Sequence, residues 1–429
     1  MTVERTAEPA PAPAGKLLQI LGPGLVTGAS DDDPSGIATY SQAGAQFGVD
    51  LGWVLLFSLP LMCAIQEISA RIGRVTGRGV AGVLRHAAST PVIYAVVGLL
   101  AAANIINLGA DLGAMSAALK LLAGGPQLAY VAGFAFVITL LEIFMSYARY
   151  VLVLKWLSLS LLAYVAVALA VKTPWGSVAY HLVVPNIAWK ADYFTVVVAI
   201  LGTTISPYLF FWQAEEEAED VREEDGAKPL KAAPEQAKPE FRRIRLDTWI
   251  GMGISNLVAM AIVISTAVTL HAHGITNIQT SSQAAEALRP IAGPLVFWIF
   301  GAGIIGTGLL AVPVLAGSAA FALGETLGWR SGLGQKPRRA PAFYAAIAIA
   351  MLIGMAINFS PIDPIRALFW SAVINGVAAV PIMIMIMLVS ANKKVMGDFS
   401  LPRGLKALGW IATAVMAVAA LGMFATMAA

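Results

Sequence analysis

Long apolar runs separated by short polar intervals repeat along the whole chain and predict about eleven membrane-crossing helices. They lie at Leu17–Phe47, Leu51–Ala70, Pro91–Leu119, Gln127–Tyr147, Tyr150–Val171, Tyr193–Gln213, Thr248–His271, Leu295–Leu323, Pro341–Phe359, Ile365–Ser390 and Leu405–Met427. Two of these runs carry polar residues and a proline at mid-span. In the first, Asp31, Asp32 and Asp33 precede Pro34 and Gly36. Pro34 has no N–H and disfavours a helical conformation at Asp33. Charge at bilayer depth costs several kcal/mol, so these carboxylates must face a protein interior or an aqueous cavity. The sixth run has Thr203, Thr204 and Ser206 just before Pro207. Each break alone fits a tolerated proline kink. Together, at matching places five helices apart, they point to two halves of opposite orientation and a site at the midplane.

This divides the chain into a disordered cytoplasmic tail at 1–16, a first five-helix repeat at 17–172 and an outer loop at 173–192. A second repeat follows at 193–390, with a solvated cytoplasmic loop at 220–247, then a linker and eleventh helix at 391–429. The stretch Met1–Gly15 lacks the basic start and apolar core of a signal peptide.

Composition agrees: 58% of residues are hydrophobic and 12% charged, against about 25% charged in a soluble domain. With the N-terminus cytoplasmic, all but Lys120, Lys172, Lys190, Arg289 and Arg366 of the 28 Lys and Arg fall on the inner side. An odd helix count puts the C-terminus outside, in what is expected to be a bacterial inner membrane. One cysteine, Cys63, excludes a disulfide framework and a multi-cysteine metal site.

The residues of the first break also resemble a known family. Gly22-Pro-Gly, then Asp33-Pro-Ser-Gly36 and Gln42-Ala-Gly-Ala, with Thr76-Gly-Arg-Gly79 after the second helix, look like Nramp-type divalent metal transporters. The resemblance runs from about Leu17 to Met427. It implies an all-α polytopic protein of the LeuT-type fold, an inverted 5+5 repeat with helices 1 and 6 broken, and a metal held between the breaks. The expected metal residues are Asp32, Asp33, Gly36, Thr203, Ser206 and Asn375.

Departures from the family pattern are specific. Gly36 stands at the usual Asn, and Ser206-Pro207-Tyr208 at the usual Met-Pro-His. Ala114 replaces the Glu that follows Asp111, the ninth helix has no arginine, and Ala379 stands at the Gln near Pro381, one turn from Asn375. A thioether favours softer transition metals, whereas carboxylate, carbonyl and water suit Mg²⁺, Ca²⁺ or Mn²⁺. Mg²⁺ keeps several waters and needs room. The pattern is similar to the Nramp-related magnesium transporters, and implies transport of Mg²⁺, and also Mn²⁺, uncoupled from protons. The phenol of Tyr208 is a poor proton carrier at neutral pH. The alternatives are a proton-coupled Mn²⁺/Fe²⁺ transporter and an amino-acid or organic-substrate carrier on the same fold. Three consecutive Asp at the break argue against an anionic substrate. No Ser/His pair, His-Glu-x-x-His or phosphate loop supports an enzyme.

The expected partners are a divalent cation and the lipid bilayer, with no cofactor and no nucleic acid. Several polar residues keep two readings. Asp31 and Asp32 could be vestibule charges or simply solvated. Gln66 and Glu67 could line the inner path or snorkel, and Glu142 and Lys155 could pair with neighbours. Glu215, Glu216, Glu217 and Glu219 could form an acidic exit funnel or a solvated helix end. His271 and His273 read as the end of an outer loop.

Overall fold

The computed structural model describes residues 23–145, 165–166, 168–169, 173–223, 226–278, 281–286 and 296–428. The expected tail at 1–16, most of the fifth expected helix and Lys155 lie outside the described residues.

The first apolar run is two helices, α1 (Pro23–Asp31) and α2 (Pro34–Phe47). Next come α3 (Gly52–Thr76), a short α4 (Val80–Ala87), α5 (Thr90–Ala123), α6 (Gln127–Phe144) and α7 (Trp175–Val183). The sixth run is likewise split, into α8 (Ala191–Thr204) and α9 (Pro207–Glu223). The remainder is α10 (Ala237–Thr269), α11 (Ser281–Glu286), α12 (Val296–Leu327), α13 (Pro341–Ile357), α14 (Pro364–Ser390), α15 (Lys393–Met396) and α16 (Arg403–Ala428). Among the described residues there is no strand, and eight helical stretches are long and apolar enough to cross a membrane, the broken α8–α9 counting as one. The broken α1–α2 and the shorter α13 supply two more of the expected segments.

The largest difference from expectation is at 220–247. α9 runs on to Glu223 and α10 begins at Ala237, so most of the expected solvated loop is helix. Two of its charges find partners across helices: Arg243 pairs with Glu217 and, within α10, with Glu240, and Arg74 reaches Glu240 at 3.2 Å.

Packing places both breaks at the centre. α1 lies on α10, α2 on α10 and α14, α8 on α14 and α16, and α9 on α3 and α12, while α5 packs against α12, α13 and α14. Two of these contacts need glycine. A Cβ at Gly28 overlaps the Gly251 backbone, and one at Gly202 meets the backbone of Ala372 and of Gly376. Close backbone approach of this kind is how membrane helices gain packing contact where no water is expelled.

Candidate functional site

Asp33 and Pro34 together start α2. Asp33 is the N-cap, with extended backbone, and Pro34 takes the first turn, where its missing N–H costs nothing. Asp33 Oδ1 accepts from the Gly36 amide at 2.7 Å and from Ser35 Oγ at 2.6 Å. Oδ2 accepts from Asn107 Nδ2 at 2.8 Å, with the Tyr208 hydroxyl at 3.5 Å. Tyr208 donates principally to the Ser30 carbonyl, at 2.7 Å, so α9 holds the end of α1. Asn107 Oδ1 in turn accepts from Ser371 Oγ at 2.7 Å. The carboxylate of α2 is thus fixed through α5 to α14.

Asp31, Asp32 and Asp111 are fully buried beside it. Asp31 Oδ2 accepts from Ser255 Oγ. Among the described residues, Asp31 Oδ1 and both oxygens of Asp32 and of Asp111 make no hydrogen bond of ordinary geometry, although Ser255 lies near Asp32 and the Ser35 backbone near Asp111. Asp111 is within Coulombic reach of Asp33. Simple solvation of Asp31 and Asp32 is therefore not what the structure shows. Burying several carboxylate oxygens without partners is costly unless a cation or protons accompany them.

At the second break, Ser206 Oγ lies 2.7 Å from the carbonyls of both Gly202 and Thr203, and Thr204 Oγ1 donates to the Ile200 carbonyl at 2.9 Å. The Ser206 hydroxyl thus serves carbonyls freed at the end of α8, whereas Thr204 back-bonds within the helix. Ser206 has one proton to donate, so its oxygen retains lone pairs to offer. A Cβ at Gly36 would lie 3.0 Å from Thr203 Oγ1 and 3.2 Å from the Asp31 carbonyl, which puts the two breaks side by side. Asn375 is buried on α14, one turn beyond Ser371, with neither amide atom hydrogen-bonded among the described residues. All six expected residues are buried. Among the described residues, however, no three His, Cys, Asp or Glu side chains are grouped so as to hold a metal ion between them. A cation here would need carbonyl, hydroxyl, amide or water oxygens beside any carboxylate.

The two faces differ. A cavity of about 500 Å³ opens between α2, α8 and α14 and reaches Ala38, one turn past the break; Gln42, Asp192, Arg366 and Trp370 line it. On the opposite side ion pairs tie helices together: Arg74 of α3 lies 3.2 Å from Glu240 of α10, and Arg243 of α10 pairs with Glu217 of α9. Within single helices, Glu67 binds Arg71 at 2.7 Å, and Arg222 lies 3.2 Å from Glu219 and 3.5 Å from Glu215. Glu215, Glu216, Glu217 and Glu219 are all buried, and Glu67 with them, so they are neither a solvated helix end nor snorkelling groups. α1 is docked on the same side: the Gly24 amide donates to Asp247 Oδ2 at 2.6 Å, Gly28 abuts Gly251, and Asp31 takes Ser255.

Other expectations resolve locally. Glu142 is buried with neither oxygen hydrogen-bonded among the described residues. His271 and His273 sit at carbonyls of Ala45 and Thr269. Asn107, Ser255 and Ser371 escaped the sequence reading. The signal for Asn107 was present: Asn104, Asn107 and Asp111 recur at helical spacing on one face of an apolar helix.

Residues 24–426 match the family described as "Natural resistance-associated macrophage protein-like". A divalent metal cation transporter, MntH, of Acidiphilium cryptum is 27% identical over 406 residues, covering 92% of this chain and 87% of that one. The crystal structure of an Eremococcus coleocola manganese transporter, in complex with an aromatic bis-isothiourea compound, superposes with a TM-score of 0.72 at 17% identity, over 96% of this chain and 88% of the other. MhsT in complex with L-phenylalanine gives 0.62 at 14% identity, over 94% and 98%. The fold is the LeuT type.

Proposed function

The chain belongs to the Nramp family, and on that premise we propose that it is a secondary transporter of divalent metal cations, Mn²⁺ among them, working by alternating access. The observation that carries this reading is the buried group of Asp31, Asp32, Asp33 and Asp111 around a helix break, with five carboxylate oxygens making no hydrogen bond of ordinary geometry among the described residues. It lies between an outer cavity and an opposite face where ion pairs join α3, α9 and α10. The curated relative supports the substrate class, since it is named a divalent metal cation transporter. The protein is an integral membrane protein, and we place it in a bacterial inner membrane with the N-terminus cytoplasmic.

In this proposal Asp33 is the primary ligand and Asp32 supplies a second charge. Thr203, Ser206 and Asn375 offer neutral oxygens, and Gly36 leaves room beside them. Binding competes with the existing bonds of Asp33 to Asn107 and Ser35, so the ion exchanges them for its own coordination.

The relatives turn the reading away from the Mg²⁺ preference and proton independence expected from the sequence, and toward ordinary Nramp-type transport of Mn²⁺ or Fe²⁺. Uncoupled Mg²⁺ transport stays as a second reading on one observation: the break has no thioether or imidazole, only Ser206 and Tyr208. Proteoliposomes holding a pH dye separate the two. Mn²⁺ uptake with internal acidification, unaffected by excess Mg²⁺, supports the first reading. Mg²⁺ uptake that competes with Mn²⁺ and leaves internal pH unchanged supports the second. If neither ion enters above protein-free liposomes, the transport proposal fails.

A further inference from the structure

On the face rich in Lys and Arg, a second cavity of about 740 Å³ lies apart from the metal path's buried centre. Its walls come from three separated stretches: the α3–α4 turn with α4, the end of α9, and the turn after α12. They bring four guanidiniums together, those of Arg78, Arg85, Arg222 and Arg330, against one lining carboxylate, Glu325.

The charges are not spent on each other. Glu325 is used at the start of α4, accepting from the Gly79 amide at 2.8 Å and the Gly82 amide at 2.6 Å. Arg222 is held by Glu215 and Glu219. Arg78, Arg85 and Arg330 have no carboxylate partner among the described residues. Arg78 is steadied by a neutral neighbour instead, with Nη1 3.1 Å from His86 Nε2, while His86 Nδ1 lies 2.8 Å from the Gly82 carbonyl. Donation from Nδ1 to that carbonyl leaves Nε2 to accept from Arg78. Trp329, 40% exposed, stands at the rim.

We propose that this cavity is a binding site for a phosphate-bearing anion, held by Arg78, Arg85 and Arg330. Guanidinium forks match phosphate oxygens bidentately, and a cluster that faces a preformed cavity pays little to organise. The cavity lies within the usual size range of small-molecule sites. A soluble phosphoanion and an anionic lipid headgroup share this chemistry, and an exposed Trp beside Arg suits either.

The test uses the full chain in phosphatidylcholine nanodiscs, metal-free, titrated with inorganic pyrophosphate at physiological ionic strength. Saturable binding is expected, weakened roughly tenfold or more by Arg78→Gln with Arg330→Gln, and unchanged by Lys393→Gln with Lys394→Gln on the same face. If the arginine pair does not purify folded, Arg330→Gln alone is used. A second arm adds phosphatidylglycerol. Suppressed pyrophosphate binding, together with a phosphatidylglycerol molecule retained by wild type and lost by the arginine variant, identifies a headgroup site. Unchanged pyrophosphate binding identifies a soluble ligand. The proposal is overturned if neither probe binds saturably, or if the lysine variant loses binding as much as the arginine variant.

Discussion

At the scale of single residues, Asp33 caps α2 and is our proposed metal ligand, two duties that substitution can separate. Asp33→Asn keeps a side-chain oxygen for the helix cap but removes the charge, so metal uptake should fall at least roughly tenfold while the melting temperature holds. Asp33→Ala should lose uptake and also about 1 kcal/mol of stability with the cap. Uptake assays with thermal unfolding distinguish them, and full uptake by folded Asp33→Asn removes this carboxylate from the mechanism. Asn107→Ala frees Asp33 Oδ2, while the Ser371 hydroxyl keeps the Leu368 carbonyl as acceptor; it should alter the apparent KM for metal more than Ser371→Ala does. Ser206→Met alone probes selectivity by raising competition from Cd²⁺ relative to Mg²⁺. Gly36→Asn is a poorer probe, because the new Cβ crowds Thr203 Oγ1 and the Asp31 carbonyl. Asp33 was legible in the sequence because a carboxylate beside a proline at mid-membrane has no bland explanation. Asn107 was legible only in part: its helical spacing with Asn104 and Asp111 marks a polar face, but its partners on α2 and α14 do not follow from that spacing. The duty of Ser206 was half legible: its hydroxyl was expected, but not that its proton goes to the carbonyls of its own break.

Among the helices, the breaks were readable and the helix ends were not. Proline and glycine act locally, so the positions of α1–α2 and α8–α9 follow from short stretches. The start of α10 depends on tertiary pairing. Residues 237–247 look like a polar loop until Glu217 and Arg74 supply the opposite charges. Those pairs join α3, α9 and α10 across the closed face, and their removal is testable. Glu217→Gln should leave Arg243 partly uncompensated and favour opening toward that side. Accessibility of a cysteine introduced on α1 at Thr27, measured with a thiol reagent applied from the basic face of a Cys63→Ala protein, should rise severalfold. Unchanged accessibility would mean that the pair does not restrain the closed state.

For the molecule as a whole, charge movement gives the broadest prediction. A divalent ion carried alone gains about 2.3 kcal/mol per charge for each 100 mV of inside-negative potential. A potassium-diffusion potential in proteoliposomes should therefore accelerate uptake strongly if the ion travels without compensating charge; a rate independent of potential would exclude electrogenic transport. The sequence foreshadowed the layout of the helices through its paired breaks, but not how the face opposite the outer cavity is held. That depends on contacts such as Gly24 with Asp247 and Gly28 with Gly251, which join residues more than two hundred positions apart. Those contacts have a mechanical side. α1 is a nine-residue rod, about 13 Å long at helical rise, joined to α2 at Asp32. It touches α10 at these points through a hydrogen bond and glycine backbone. Such a rod can pivot as a lever, and a tilt of about 20° at Asp32 would carry its far end about 4–5 Å, wider than a water molecule, while the carboxylates at the fulcrum scarcely move.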